Sequence, residues 1–148
     1  MKKAFMRFGV VFFLVFCVPA LVSAHCEVPC GIYDDEMRIK MLNEHIDTME
    51  KSMMMIKDIQ KHEDINYNQL TRWITNKDKH ANKFQHIATQ YFLTQRIKPG
   101  TKHYEKKLAL LHKMVVYAMK CKQTTDMDNI KELKDLVGKF ETLYFKEE

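Results

Sequence analysis

Apolar residues recur along most of the chain at steps of three and four, which is the period of one face of an α-helix. In the first such stretch the repeating positions are Ile39, Leu42, Ile46, Met49, Met53 and Ile56. Asp34, Asp35 and Glu36 come just before it, where acidic side chains complement the positive end of a helix dipole. The pattern predicts a helix whose first turn contains these acids.

Three further stretches show the same period. Their apolar positions are Leu70, Trp73, Ile74, Ala81, Phe84, Ile87, Ala88 and Tyr91, then Leu108, Leu111, Val115 and Ala118, then Ile130, Leu133, Val137, Phe140 and Tyr144. Pro99-Gly100 ends the second stretch, Thr101 is the predicted N-cap of the third, and the fourth begins near Asp126. No alternating strand pattern competes. Four amphipathic helices with short connections predict an all-α protein, an antiparallel four-helix bundle over about residues 34–147.

The beginning of the chain has a different character. It carries three basic side chains, Lys2, Lys3 and Arg7. An almost wholly apolar run, residues 8–22, follows, and Ser23-Ala24 supplies small residues before a possible cleavage site. A transmembrane helix is the alternative, but about 15 apolar residues are fewer than the roughly 20 that span a bilayer. We therefore expect residues 1–24 to be a cleaved leader or signal peptide and residues 25–148 to form one domain.

Removal of this leader changes the charge. The Lys plus Arg count falls from 24 to 21 against 19 acidic residues, so the formal net charge falls from +5 to +2. No dense block of Lys and Arg accompanies that charge, which argues against nucleic acid as a partner. We expect an exported protein, periplasmic or extracellular, without a stable membrane span after cleavage. A leader that serves only maturation would leave the protein in the cytoplasm.

Cleavage would leave three cysteines, Cys26, Cys30 and Cys121, an odd number that cannot pair completely within one chain. One disulfide with a spare thiol, or a pair of thiols reserved for metal, are both compatible with this count. Cys121 is expected to be structural or to lie on the surface.

The new N-terminus would read His25-Cys26-Glu27-Val28-Pro29-Cys30 and would gather an amine, an imidazole and two thiols within six residues. The amine, the Cys26 amide nitrogen and the two thiolates can surround a metal in a plane, with the His25 imidazole approaching axially. Such a nitrogen and sulfur set suits Ni(II) or Cu(II), whereas Zn(II) prefers a tetrahedron. Anionic thiolate and amide donors also stabilise a higher charge state of nickel. The segment therefore predicts a redox-active metal site.

The nonapeptide from His25 to Tyr33 resembles the start of mature nickel superoxide dismutases, His-Cys-x-x-Pro-Cys-Gly-x-Tyr. The resemblance continues through the helical remainder, notably around Arg72-Trp73-Ile74 and Lys79-His80-Ala81. It implies an oxidoreductase that converts superoxide to oxygen and hydrogen peroxide by Ni(III)/Ni(II) cycling. It also implies one nickel ion per subunit and assembly into a homohexamer.

The resemblance assigns roles to individual residues. The metal ligands that it implies are His25, Cys26 and Cys30. Tyr33 would lie beside the open face of the metal, limit access to small species and order water or peroxide there. Glu27 stands where well-known members carry aspartate and would affect hydrogen bonding near the metal. Pro29 lets the short loop curl back through a cis bond, and Gly31 gives the chain freedom to leave it.

Less specific interpretations stay open beside this one. Cys26 and Cys30 would also suit an ordinary disulfide of an exported protein. A secreted helical interaction module would use the same four apolar stripes, and a metal carrier would bind copper or nickel at the same N-terminus without turnover. Met53-Met54-Met55 is predicted to be core and flank rather than a copper site. His80 and His86 are predicted to be packing or surface residues.

Overall fold

The computed structural model describes Glu27 and residues 29–145. The predictions for residues 1–26, Val28 and residues 146–148 lie outside the described residues. The described part contains four α-helices, α1 (Asp35–Ile59), α2 (Tyr67–His86), α3 (Tyr104–Gln123) and α4 (Met127–Phe145), and a π-helix (Ile87–Arg96) that continues α2. There is no strand in this part of the chain. The predicted all-α fold is confirmed.

The helices form a four-helix bundle in which each helix packs against two others. Helix α1 contacts α2 and α4, and α3 contacts the same two helices. The start of α1 lies against the C-terminal end of α4. There the Tyr144 hydroxyl donates a hydrogen bond to the Asp35 carboxylate over 2.8 Å. Short connections join antiparallel neighbours, as the sequence predicts. In the described range, no helix has the combined length and apolarity needed to cross a membrane.

Side-chain caps mark the two helix starts at which the sequence places acidic capping residues. The Asp34 carboxylate accepts a hydrogen bond from the Met37 backbone N–H over 2.9 Å, which satisfies one of the unpaired donors at the start of α1. At α4 the Asp126 carboxylate accepts from the Asp128 N–H over 3.0 Å. The predicted starts of the first and fourth helices are therefore confirmed.

The start of α3 differs from the prediction, because Thr101 is not its N-cap. The helix begins at Tyr104, and the residue before it is His103, whose backbone has a φ of 58°. The Thr101 hydroxyl instead donates to the Lys98 carbonyl over 2.8 Å. Thr101 thus belongs to the turn that follows α2 and its π-helix, and its side chain is directed back along the chain.

The apolar stripes of α1 and α4 are buried as predicted, but the first half of α2 is not. Ile74 is 41% exposed, and the interior position nearby is taken by Lys77, which is buried. The Lys77 ammonium donates to the carbonyls of Cys121 and Lys122 over 2.8 and 2.5 Å. These carbonyls end α3 and lack partners within the helix, and the helix dipole favours a cation there. A polar contact between helices therefore replaces apolar packing.

The sulfur-containing side chains divide between core and surface. Among the methionines that the structure describes, Met49, Met53 and Met114 are fully buried, and the most exposed are Met37, Met54 and Met119. The core-and-flank interpretation of Met53-Met54-Met55 is thereby confirmed. Cys121 is also fully buried, and burial raises the pKa of its thiol to about 11. Its thiol is therefore protonated and inert at neutral pH.

Candidate metal centre and its support on the bundle

The structure describes part of the predicted metal segment, residues 25–30, and the residues that join it to α1. The predicted site residues that it describes are Glu27, Pro29, Cys30, Gly31 and Tyr33, whereas His25 and Cys26 lie outside the described residues. Cys30 is exposed and carries a free thiol, so a metal can reach it. Gly31 has a φ of +82°, a backbone conformation that glycine adopts without the steric cost paid by other residues. The chain therefore turns sharply between the Cys30 thiol and the start of the bundle.

Tyr33 contacts the helices through two side chains. The Arg96 guanidinium lies over its ring, 4.3 Å from the ring centre, and the Tyr91 ring meets it edge-on at 5.8 Å. A cation over an aromatic face is attracted by the ring quadrupole. Tyr33 nevertheless remains 38% exposed. One side of its ring is fixed on the bundle while part of the side chain stays open to solvent.

Two residues further along, Asp35 is the centre of a polar cluster that we call the Asp35 cluster, formed by Asp35, Tyr91, Arg96 and Tyr144. Arg96 donates through Nε and Nη2 to the carboxylate over 2.9 and 2.6 Å. The Tyr91 and Tyr144 hydroxyls donate to its two oxygens over 2.5 and 2.8 Å. The cluster ties the start of α1 to the ends of the π-helix and α4.

The cluster also sets the charge state of its members. Burial alone would raise the pKa of Asp35, but the hydrogen bonds from Arg96 and the two tyrosines outweigh burial and lower it. Burial and the hydrogen bond to Asp35 raise the pKa of Tyr91 to about 12. Asp35 is therefore an anion and Tyr91 a neutral donor throughout the physiological range.

The π-helix explains how Tyr91 and Arg96 reach one carboxylate. The Ile97 N–H donates to the Phe92 carbonyl five residues earlier, over 2.9 Å. The Thr94 hydroxyl reaches back to the Thr89 carbonyl at the same spacing, also over 2.9 Å. Residues five apart point about 140° away from each other in an α-helix, whereas in a π-helix they lie one turn apart on nearly the same face.

Sequence reasoning missed this cluster. It assigned Asp35 to the helix dipole, placed Tyr91 and Tyr144 in apolar stripes and gave Arg96 no role. The sequence carries no clear signal of the change of pitch, because adjacent buried residues such as Tyr91 and Phe92 also occur in α4, at Leu136 and Val137.

Comparison with known proteins gives the family. The family model of nickel-containing superoxide dismutase matches residues 20–148, which include the whole N-terminal segment and every helix. The chain belongs to the nickel-containing superoxide dismutases. Neither the comparison with curated proteins nor that with solved structures finds a match. This nickel-containing superoxide dismutase is thus an oxidoreductase whose substrate is superoxide, and the predicted family and enzyme class are confirmed.

The side chains that bind nickel in this enzyme must be ones that a metal ion can reach in the fold described above. Over Glu27 and residues 29–145, no group of three or more His, Cys, Asp and Glu side chains is arranged to hold a metal. The exposed Cys30 thiol fits nickel as one soft donor, since thiolates bind such ions well. Cys121 does not fit, because its thiol is buried in the core. The helices therefore support the N-terminal segment and do not enclose a metal site of their own.

Proposed function

We propose that the processed enzyme disproportionates superoxide at one nickel ion per subunit, held by residues 25–30. The holding groups would be the amine and imidazole of His25, the amide nitrogen and thiolate of Cys26, and the thiolate of Cys30. When bound, nickel supplies one-electron chemistry by alternating between Ni(III) and Ni(II). The observation that carries the proposal is the exposed Cys30 thiol, three residues before a tyrosine that the bundle holds in place.

The reaction needs little recognition of its substrate. One superoxide ion gives up an electron and leaves as oxygen, and a second takes that electron with two protons and leaves as hydrogen peroxide. Tyr33 is partly exposed next to the metal segment, so its ring narrows the approach and its phenol can donate to a small oxygen species. The modest net positive charge of the processed chain attracts an anion, and this attraction weakens as salt is raised.

Processing, export and assembly belong to the same proposal. Only removal of residues 1–24 makes the His25 nitrogen a basic amine, and the apolar run before it supports export to the periplasm or beyond. We further propose a homohexamer, as the family resemblance implies. The exposed apolar side chains of Ile32 and Met37, next to the metal segment, support burial against another copy.

A pair of chains tests the N-terminal donor set. One begins at His25 and the other retains Ala24, so that they differ by one residue and by the nature of the nitrogen at position 25. The first should bind nickel and dismutate superoxide, and the second should bind nickel with a changed absorption spectrum and dismutate poorly. Circular dichroism should show equal helix content in both. Full activity of the longer chain would refute the proposal, and nickel binding without turnover in the shorter one would favour a metal carrier.

A further inference from the structure

Arg96 contacts two residues at the start of α1: Tyr33, which lies just before the helix, and Asp35, which is its first residue. Its guanidinium carbon lies over the Tyr33 ring, and its Nε and Nη2 hold the Asp35 carboxylate in a two-pronged ion pair. The side chain is only partly exposed. A planar guanidinium can stack and donate in two directions at once, which an ammonium group cannot do.

The two contacts restrict the chain on both sides of Asp34. Asp34 itself caps α1 through the Met37 N–H, so three consecutive residues before or at the helix start are tied to the bundle. Gly31 and Cys30 lie directly before this stretch. The position of Tyr33 relative to the Cys30 thiol is therefore set from the helical side, by a residue that is 63 positions further along the chain.

We propose that Arg96 is a positioning residue for Tyr33, and that the pitch of the π-helix places Arg96 against the Tyr33 ring. Arg96 does not touch the reacting atoms; it acts by holding the Tyr33 ring at one orientation beside the metal segment. The inference rests on the proposed role of Tyr33. In an α-helix of the same length Arg96 would point away from Tyr91 and from the start of α1.

The test compares Arg96→Lys with Arg72→Gln. Lysine keeps a positive charge opposite Asp35, so the bundle should still fold, but it loses the stacked plane over Tyr33. Arg72 is an exposed arginine near the start of α2, and its substitution controls for the loss of an arginine away from Tyr33. We expect Arg96→Lys to lower kcat/KM by about three- to tenfold at unchanged nickel content, and Arg72→Gln to leave it unchanged.

A double substitution separates positioning from general stability. If Arg96 acts through Tyr33, then Arg96→Lys should change kcat/KM less than about twofold in a Tyr33→Ala chain, where no ring remains to be held. An equal loss in both backgrounds would overturn the inference, because Arg96 would then act by another route.

Fluorotyrosine NMR of the metal-free chain gives a readout that does not depend on turnover. Tyr67 is 71% exposed and serves as the internal reference for a free ring. In Arg96→Lys the Tyr33 resonance should move towards that of Tyr67, and in Arg72→Gln it should stay in place. An unmoved Tyr33 resonance in Arg96→Lys would overturn the inference. If the unsubstituted nickel-loaded enzyme lacked activity, the proposed function would fail instead, and this spectrum would still decide whether Arg96 holds Tyr33.

Discussion

The imidazoles of His45 and His80 meet edge to face between α1 and α2, with their Nδ1 atoms 3.2 Å apart. A hydrogen bond at this distance needs one Nδ1–H and one Nδ1 lone pair, so at least one ring must be neutral. Burial lowers the pKa of both rings. At His45 the charges of His80 and Lys83 lower it further against the opposing effect of Glu44. Lys83 and Lys79 do the same at His80.

This pair predicts a loss of stability in mild acid. Because both pKa values are lower in the folded state than the unfolded value of about 6.5, the unfolded chain binds more protons as the pH falls through that value. The free energy of unfolding, measured in urea, should therefore be lower at pH 5 than at pH 8. His80→Gln should reduce this difference, and His112→Gln, on the exposed face of α3, should not. An identical pH dependence in all three chains would contradict the prediction.

Asp35 should matter more to stability than any exposed carboxylate. Asp35→Ala leaves Arg96 and two tyrosine hydroxyls without their acceptor, and we expect it to lower the free energy of unfolding by about 3 kcal/mol. Asp128, which pairs with Lys131 on the surface, is the control, and Asp128→Ala should change little. In unsubstituted protein the Asp35 contribution should be present above about pH 4 and disappear as the pH falls further, since its folded pKa is lowered. Equal effects of the two alanine substitutions would be inconsistent with the cluster.

The two described cysteines should respond in opposite ways to substitution. Cys30→Ser should abolish turnover with little change in stability, because its side chain is exposed and a hydroxyl does not replace a thiolate donor. Cys121→Ala should keep the activity per bound nickel and lower the free energy of unfolding by about 1–2 kcal/mol through a small core cavity. Thiol labelling of the native metal-free chain should modify Cys30 rapidly and Cys121 only on unfolding. Activity in Cys30→Ser would remove this thiol from the ligand set.

Gly31 allows a test of backbone strain alone. No atom lies within 4 Å of a Cβ added at Gly31, so Gly31→Ala meets no clash, but its φ of +82° costs an L-residue about 1 kcal/mol. We expect the metal-free segment of this variant to relax away from this φ and nickel binding to restore it, so nickel affinity should fall by about fivefold, as measured by competition with a chelator. Gly138, within α4, also has open space around an added Cβ and no unusual φ. Gly138→Ala should leave nickel affinity unchanged and slightly raise stability.

Tyr33→Phe removes the hydroxyl group of Tyr33 and keeps the aromatic ring. The ring contact with Arg96 survives, so nickel content should not change. Loss of the hydroxyl removes a donor to superoxide or peroxide, and both the saturation of the rate with superoxide and the inhibition by peroxide should shift. Stopped-flow decay of superoxide over a range of concentrations measures both. If both the saturation and the peroxide inhibition were unchanged, the donor to superoxide or peroxide would have to be another group.

The sequence predicts the helices well where one physical effect dominates. In α1 and α4 a single apolar stripe determines burial. The acidic residues Asp34 and Asp126 lie where these two helices begin and cap them. Lys77 could not be foreseen, because a buried ammonium is stable only when another helix presents unpaired carbonyls to it. The role of Arg96 could not be predicted from the sequence either, since it depends on a change of helical pitch and on a carboxylate far away in the chain. Of the predicted site residues, those from 27 to 33 that the structure describes are now placed, and their roles stay predictions.

The distribution of the methionines has a chemical consequence for an enzyme that makes hydrogen peroxide. Peroxide converts a thioether into a polar sulfoxide, which a packed core does not tolerate. Met49, Met53 and Met114 are sealed from solvent, while Met37 stands exposed only seven residues after Cys30. Oxidant released at the proposed metal segment would meet the Met37 sulfur before it meets one of the core sulfurs. Damage by the enzyme's own product should therefore accumulate first at Met37, outside the packed core of the bundle.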